Sequence, residues 1–179
     1  MLKNVVKHFN TINKHKWEVF KLCVKAGIPI RGLLHDLSKY SPEEFFESAK
    51  YYQGNRSPIS KSQEVNGYSK AWLHHKGRNK HHYEYWYDKT APDISPIIPY
   101  KYTVEMICDG IAAGMVYNGR ENIEKYELEY FEKYKRNEVM LNNKLKDMLF
   151  EVHTQMTIFG IDKVINKKNL KELYNKHCK

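Results

Sequence analysis

Apolar residues recur with a helical period at the start of the chain. In LKNVVKHFNTINKHKWEVFKLCVKAG they return every three or four positions, at Val5, Phe9, Ile12, Val19, Leu22 and Cys23. Gly27 and Pro29 interrupt this pattern and end it. The segment therefore predicts a long amphipathic helix, and IRGLLHDLSKY predicts a second, short one.

The next helix has a clear start signal. In SPEEFFESAKYY, Ser41 is predicted to be the N-cap, Pro42 the first helical residue, and Glu44 the partner that closes a capping box. Residues 53–67, QGNRSPISKSQEVNG, are polar and predict a surface loop that could act as a lid. WLHHKGRNKHHYEYW then favours a helix in two pieces that is broken at Gly77.

The second half of the chain continues the helical pattern after a proline-containing connection at residues 88–99. YKYTVEMICDGIAAGMVYNG, ENIEKYELEYFEKYKRN, EVMLNNKLKDMLFEVHTQMTIFG and KNLKELYNKHC each predict a helix. No alternating strand pattern of convincing length interrupts them. The fold class is therefore predicted to be all-α, a compact bundle of about six to eight helices that forms a single domain over residues 1–179.

Composition narrows the class of protein. No apolar run approaches the roughly 18 residues of a membrane span, and the first residues lack the apolar segment of a secretory signal. The three cysteines show no CxxC spacing, so neither a disulfide framework nor a thiolate zinc site is indicated. We therefore expect a cytoplasmic protein with reduced thiols and no membrane partner.

Positive charge is concentrated in the first half of the chain. Residues 1–90 contain 16 Lys and Arg against 8 Asp and Glu, whereas residues 91–179 contain 14 against 13. Seven of the nine histidines also lie in the first half. This favours an anionic small-molecule substrate, with a phosphorylated compound preferred over nucleic acid. A general lysine-rich composition explains the surplus equally well, and an exposed aromatic helix face would support a homodimer.

The segment LLHDLSK carries the sharpest chemical signal. Adjacent His35 and Asp36 could offer an imidazole nitrogen and a carboxylate oxygen to one metal ion, or the carboxylate could bridge two. Lys39 would lie on the same helical face and could hold a phosphate or carboxylate of the substrate. Asp36 and Lys39 are thus the predicted catalytic residues, although a His–Asp pair alone is common by chance.

Four of these positions resemble the HD superfamily of metal-dependent phosphohydrolases. His15 matches the upstream histidine, His35 and Asp36 the doublet, and Asp109 the closing aspartate. The resemblance covers about residues 8–120, implies that all four residues lie on helices, and leaves residues 121–179 as packing. The HDLSK form is similar to dinuclear members, including the HD-GYP cyclic-dinucleotide phosphodiesterases and the inositol-oxygenase type of mixed-valent diiron oxygenases.

A narrower resemblance is to a small bacterial and phage family of unknown function, a divergent HD-like group. It rests on HDLSKYSPEEF and on a pattern matched by His75, Asn79, His81, His82, Tyr85 and Trp86. On an unbroken helix, His75 would share a face with His82, and His74 with His81. We favour His75 and His82 as the inward pair, with His81 as the alternative because the pattern includes both members of the doublet. His74 is expected behind the ligands or at the surface.

These arguments predict two metal-binding groups that share Asp36. The predicted ligands are His15, His35, Asp36, His75, His81, His82 and Asp109. Imidazole and carboxylate ligands without thiolate suit one or two divalent ions of Mn, Fe, Co, Ni or Zn. Glu105 is an acid behind the ligands or a surface salt bridge. Predicted substrate contacts are Lys39, Arg78, Asn79 and Lys80, although solvation of the charges and helix capping by Asn79 explain the last three as well.

The leading functional hypothesis is a metal-dependent phosphohydrolase that acts on a nucleotide or another small phosphoester through activated water. A mixed-valent diiron oxygenase is the alternative within enzymes, and oxygen consumption would separate the two. Two hypotheses outside the enzymes remain: the chain could bind nucleic acid without catalysis, or it could be a helical bundle whose metal is purely structural.

Overall fold

The computed structural model describes residues 2–179, and every regular element in that range is helical. The ten α-helices are α1 (Leu2–Lys25), α2 (Pro29–Leu34), α3 (Pro42–Tyr51), α4 (Pro58–Asn66), α5 (Lys70–Lys76), α6 (Tyr100–Asn118), α7 (Ile123–Tyr130), α8 (Asn143–Phe159), α9 (Ile161–Val164) and α10 (Lys167–Cys178). Two 3₁₀ helices (Leu37–Tyr40 and Tyr83–Tyr85) and a π-helical turn (Phe131–Lys135) complete the set. The all-α prediction is confirmed, with two short helices, α4 and α9, that the sequence pattern did not predict.

One hydrophobic core joins the two halves of the chain. It includes Val19 of α1, Ile111 of α6, Leu145 of α8 and Leu170 of α10, all with no exposed surface. Helix α6 contacts α1, α2, α7 and α10, so it is the central element of the bundle. Within residues 2–179, no helix combines the length and the apolar character that crossing a membrane requires.

Helix α2 crosses α1 at close range. A Cβ atom at Gly32 would lie 2.6 Å from Cβ of Cys23, so only glycine permits this crossing. Lys16 of α1 donates hydrogen bonds of 2.8 Å to the carbonyl oxygens of Leu33 and His35. Helix α1 thereby fixes the end of α2, where the His–Asp doublet begins.

The His35–Asp36 doublet lies between two helices, so the prediction of a helical doublet was wrong. His35 follows α2 with an extended ψ of 130°, and Asp36 adopts the left-handed conformation, with φ 52° and ψ 32°. Successive side chains on a helix point about 100° apart. The turn instead lets both side chains reach the same place, and such backbone outliers cluster at functional sites.

The prediction of a surface loop over residues 53–67 was also wrong, because α4 occupies most of it. Ser57 caps this helix by accepting a hydrogen bond of 3.3 Å from the backbone N–H of Ile59, and Pro58 opens the first turn. Ser62 then donates a 2.7 Å hydrogen bond to Glu47 of α3. The Ser–Pro start signal and this contact outweigh the polar composition.

Candidate metal centre

Asp36 lies at the centre of a cluster of imidazole side chains. Its Oδ2 atom is 3.2 Å from Nε2 of His35, while its Oδ1 atom is 3.3 Å from Nε2 of His75 and 3.4 Å from Nε2 of His81. Asp36 is buried, and neither carboxylate oxygen makes a hydrogen bond of acceptable geometry with the described residues. A carboxylate with imidazole nitrogens near both oxygens could hold one metal ion or bridge two.

Asp109 and His15 extend the cluster on the side of His35. The Oδ1 atom of Asp109 lies 3.0 Å from Nε2 of His15 and 3.3 Å from Nε2 of His35. His15 is on α1 and Asp109 is on α6, two helices that pack together. The packing of the core therefore brings the upstream histidine and the distant aspartate to the doublet, 20 and 73 residues away from His35 and Asp36 respectively.

Among the described residues, the donor atoms form three groups: two share Asp36, and the third joins His35, His81 and Glu105. The two that share Asp36 are Asp36, His75, His81 and His82 in one group and His15, His35, Asp36 and Asp109 in the other, with the donor atoms of each group within 4.8 Å of one another. Donors about 2.0–2.2 Å from one ion lie at most roughly 4.4 Å apart. The nitrogen–oxygen contacts of 3.0–3.4 Å around Asp36 and Asp109 meet this limit, whereas a pair of donors at the 4.8 Å bound would have to move closer together.

Several buried nitrogens of the cluster lack a hydrogen-bond partner among the described residues. They are Nε2 of His15, His35, His81 and His82, and Nδ1 of His81. Buried polar atoms without partners are uncommon in folded proteins, and a set of such donor atoms that faces one place fits metal ions. The chemistry of these donors, imidazole nitrogen and carboxylate oxygen, agrees with that reading.

Buried glutamates face the other ring nitrogen of three histidines. Nδ1 of His75 is 2.8 Å from Oε2 of Glu44, while Nδ1 of His35 and Nδ1 of His81 are 3.1 Å and 3.4 Å from Oε1 of Glu105. A carboxylate at one ring nitrogen fixes the tautomer that leaves the other nitrogen free as a ligand. In all three rings that free nitrogen is Nε2, the atom that faces Asp36.

Glu44 has a different role from the one predicted for it. Its backbone N–H donates a 3.4 Å hydrogen bond to Oγ of Ser41, so Ser41 caps α3 as expected. The side chain does not close the capping box, because it accepts hydrogen bonds from His74 and His75 instead. Burial opposes ionisation, yet the hydrogen bond and charge of His75 hold the pKa of Glu44 below its ordinary value.

Glu105 is fully buried, so its alternative as a surface salt bridge was wrong. Its Oε2 atom accepts a hydrogen bond of 2.7 Å from Nε of Arg31 and pairs with Nη2 at 2.6 Å. Burial raises its pKa, but the hydrogen bond from His35 and the nearby imidazole of His81 bring the pKa of Glu105 down to about 2. The carboxylate is therefore charged when it orients the two imidazoles.

The clustered histidines do not lie on one continuous helix, because α5 ends before the second pair. The predicted break at Gly77 is confirmed, and the favoured pair, His75 and His82, lies in one donor group together with the alternative, His81. His75 and His81 both face Asp36. Burial, followed by the charge of His81, lowers the pKa of His82 well below its ordinary value. His82 is thus neutral, as a metal ligand must be. His74 lies behind the ligands.

Lys39 contacts the central carboxylate directly. Its Nζ atom is 2.6 Å from Oδ2 of Asp36, and the 3₁₀ helix Leu37–Tyr40 carries it. Burial disfavours the ammonium, but Asp36 and Asp109 raise the pKa of Lys39 above its ordinary value. A permanently charged ammonium is therefore held beside the cluster, where an anion bound to the ions would reach it.

The other three predicted substrate contacts have different positions. Arg78 and Lys80 are exposed; the first donates to the carbonyl of His74, and the second lies 5.6 Å from the ring centroid of Tyr85. Asn79 donates hydrogen bonds of 2.8 Å to Ser38 and 2.9 Å to the carbonyl of His75. None of the three lines the cavities at the cluster, so solvation and capping account for them.

Two neighbouring cavities reach the cluster. Their shared lining includes Trp72, His82, Asp109 and Tyr117. The smaller cavity, of about 180 Å³, also reaches His15 and Lys39, and the larger has a volume of about 460 Å³. Small-molecule sites typically have volumes of about 300–1,000 Å³. A groove of about 730 Å³ beside Glu18 is larger still, but none of the predicted ligands lines it.

The larger cavity includes residues that the sequence reasoning assigned to packing. Tyr126, Glu127, Tyr130 and Lys135, from α7 and the π-helical turn, form part of its wall. One signal was present: α6 carries Gly110 and Gly114 one turn apart. A Cβ atom at Gly114 would contact the carboxylate of Glu127, so these glycines mark a close approach of α7.

The fold and the cluster define an all-α protein with a buried histidine–carboxylate centre suited to metal ions. The chain belongs to DUF5662, a family of unknown function whose model matches residues 4–155. No curated protein and no solved structure is significantly similar to it. The matched range contains every residue of the cluster and both cavities, and the family description assigns no activity to them.

Proposed function

We propose that the chain is a metal-dependent phosphohydrolase that acts on a nucleotide or another small phosphoester. The observation that carries the proposal is the position of Asp36, with imidazole nitrogens near both of its oxygens and buried glutamates behind three of those imidazoles. The donor set suits one or two ions of Mn, Fe, Co, Ni or Zn. Bound there, such ions supply an activated water and stabilise charge on a phosphoryl oxygen.

The surrounding side chains suit an anionic substrate. Lys39 would hold a phosphoryl oxygen, since its ammonium is fixed beside Asp36 and lines the smaller cavity. Trp72 and Tyr117 lie in the wall common to both cavities, where they would pack on the substrate and exclude water. Charges in such a buried setting interact more strongly than in water. The free, buried cysteines fit the cytoplasmic location that we propose.

A mixed-valent diiron oxygenase is the second candidate. The observation that favours it is the number of imidazoles, because five histidines take part in the two donor groups that share Asp36. This alternative requires iron and consumes oxygen, whereas the hydrolase works without oxygen and with manganese.

The test compares the wild-type chain with Asp36→Asn and with Asp88→Asn, a control at an exposed position. Each is purified without chelators, analysed for metal, and assayed with Mn, Mg, Co and Fe against nucleotides, cyclic nucleotides and sugar phosphates. We expect anaerobic phosphate release that Asp36→Asn abolishes and Asp88→Asn retains.

Other outcomes contradict the proposal in distinct ways. Iron-dependent oxygen consumption without phosphate release would support the oxygenase. Steeply salt-dependent binding of nucleic acid that survives Asp36→Asn would support the non-catalytic alternative. Bound metal with no activity toward any compound of the panel would indicate a structural metal, and absence of metal without rescue by Mn or Fe would contradict all of the metal-based hypotheses.

A further inference from the structure

One wall of the larger cavity consists of residues that have no role in the proposed hydrolysis. Helix α7 and the π-helical turn contribute Tyr126, Glu127, Tyr130 and Lys135 to it. None of these side chains belongs to the donor groups. The cavity nevertheless includes His82 and Asp109 of the cluster, so a molecule held at the ions would extend toward this wall.

Lys135 is an unpaired cation in this wall. Among residues 2–179, no carboxylate oxygen lies within 4.0 Å of its Nζ atom, whereas Arg56, the other cation of the wall, is paired with Glu64 at 2.8 Å. The Nζ atom lies 5.9 Å from the ring centroid of Tyr83 and 6.0 Å from that of Tyr130. A half-buried ammonium that lies near aromatic rings and forms no ion pair can bind an anion.

The backbone holds Lys135 in this position. Residues Phe131–Lys135 form a π-helical turn, which the hydrogen bond of 2.9 Å from N–H of Arg136 to the carbonyl of Phe131 closes. Single π-helical turns are rare and frequently lie at functional sites. Lys133, on the same turn, is exposed and lines no cavity described above, so the turn directs the two lysines differently.

Two carboxyl groups, those of Glu84 and Glu127, share the cavity with Lys135 without forming an ion pair with it, although its charge lowers the pKa of both. Burial raises the pKa of Glu127 to about 7, and burial likewise raises the pKa of Glu84 above its ordinary value. Both side chains thus favour the uncharged form near neutral pH more than an exposed glutamate does. An uncharged carboxyl group can donate a hydrogen bond to an anion.

We propose that Lys135 binds a second anionic group of the substrate, a phosphate or a carboxylate, remote from the phosphoester at the metal cluster. This inference rests on the proposed function for the position of the first phosphate. It names the substrate class more narrowly: a phosphoester that carries another anion and spans the cavity of about 460 Å³.

The test uses matched probes that differ in the second anion. Phenyl phosphate has none, carboxyphenyl phosphate adds a carboxylate, and phenylene bisphosphate adds a phosphate. They are assayed with the metal-loaded chain, with Lys135→Met, and with the control Lys133→Met. We expect Lys135→Met to raise KM for the preferred doubly anionic probe about ten- to hundredfold, with KM for phenyl phosphate and kcat unchanged.

Lys133→Met is expected to behave as the wild type, and Lys135→Arg, which keeps the charge, should retain the preference. The inference is overturned if Lys135→Met affects all three probes equally or none of them. If circular dichroism shows that Lys135→Met does not fold, the wild type and Lys135→Arg are compared instead. The inference is then overturned if neither protein prefers the doubly anionic probes over phenyl phosphate. The doubly anionic probe whose KM rises in Lys135→Met shows whether the second anionic group is a phosphate or a carboxylate.

Binding measurements separate this inference from the proposed function. Trp72 lies in the wall common to both cavities, so tryptophan fluorescence of the metal-loaded chain can report the probes without turnover. Binding that depends on Lys135 but is not followed by hydrolysis would support the anion site and contradict the proposed hydrolase. Hydrolysis without any dependence on Lys135 would give the opposite result.

Discussion

Nδ1 of His75 and Oε2 of Glu44 lie 2.8 Å apart, although 31 positions separate the two residues in the chain. The contact joins α5 to α3 and leaves Nε2 of His75 facing Asp36. A buried carboxylate at the far nitrogen fixes the tautomer and the orientation of a ligand histidine. The position of this predicted ligand therefore depends on a residue that is not itself a predicted ligand.

Replacement of Glu44 by glutamine is expected to weaken metal binding. The amide side chain would be nearly isosteric with the carboxylate but uncharged, and loss of such a partner typically lowers metal affinity about 10–100-fold. The affinity of the chain for Mn²⁺ and Zn²⁺ can be measured by competition with a chromogenic chelator. Glu43→Gln, at the exposed neighbouring position, is the matched control. Equal affinities of the two variants would contradict an orienting role for Glu44.

Replacement of Asp36 by asparagine is expected to lower the metal content while the fold persists. Asparagine adopts the left-handed region as readily as aspartate, so the backbone at φ 52° is maintained. The charge of the proposed bridging carboxylate is lost, so we expect the variant to bind fewer ions per chain than the wild type. Elemental analysis with circular dichroism of the same samples checks both parts. An unchanged metal content would show that Asp36 is not the bridge.

Helical periodicity predicted α1 and α10 because each of these helices buries one face in the common core. It also predicted α6, although residues 103–108 of that helix are all buried. The turn at Asp36 leaves no such trace. Its left-handed conformation accompanies tertiary contacts, such as the hydrogen bond from Lys16 to the carbonyl of His35 and the ion pair of Lys39 with Asp36. Side-chain spacing alone therefore could not place the doublet correctly.

The members of the cluster were easier to predict than their arrangement. Residue type and the family resemblance selected His75, His81 and His82, but the preference among them was conditional on an unbroken helix, whereas α5 ends at Lys76. The position of Lys135 depends on a single π-helical turn, which apolar spacing does not reveal. The sequence therefore indicated the chemistry of the centre, whereas contacts between distant segments determine its geometry.

Two glycines of α6 are expected to respond in opposite directions to alanine. A Cβ atom at Gly114 would lie 2.6 Å from Cδ1 of Ile123 and would also contact the carboxylate of Glu127, so Gly114→Ala should destabilise the fold by about 1–3 kcal/mol. At Gly110 the nearest atom is 3.6 Å away, an ordinary contact. Gly110→Ala should therefore stabilise the helix by roughly 0.5–1 kcal/mol. Urea unfolding of both variants checks the signs, and equal effects would contradict the close packing of α7 on α6.

Glu127 is expected to make the stability of the chain depend on pH. Its pKa in the folded chain is about 7, raised by burial from an ordinary value of 4.5. Between these two values the folded chain holds a proton that the unfolded chain has released, so the free energy of unfolding falls as the pH rises through this window. The full effect, about 2.5 pH units at ~1.4 kcal/mol each, is on the order of 3 kcal/mol above pH 7.

Replacement of Glu127 by glutamine should remove this dependence, because the amide stays uncharged at every pH. The variant and the wild type should have similar free energies of unfolding near pH 4.5, and above pH 7 the variant should be more stable by roughly 2–3 kcal/mol. Urea titrations at several pH values measure this difference, from which the other titrating groups cancel. Glu129→Gln, at an exposed position of α7, is the control and should follow the wild type. If the curves of Glu127→Gln and wild type run parallel across the window, the buried carboxyl group is not the source of the pH dependence.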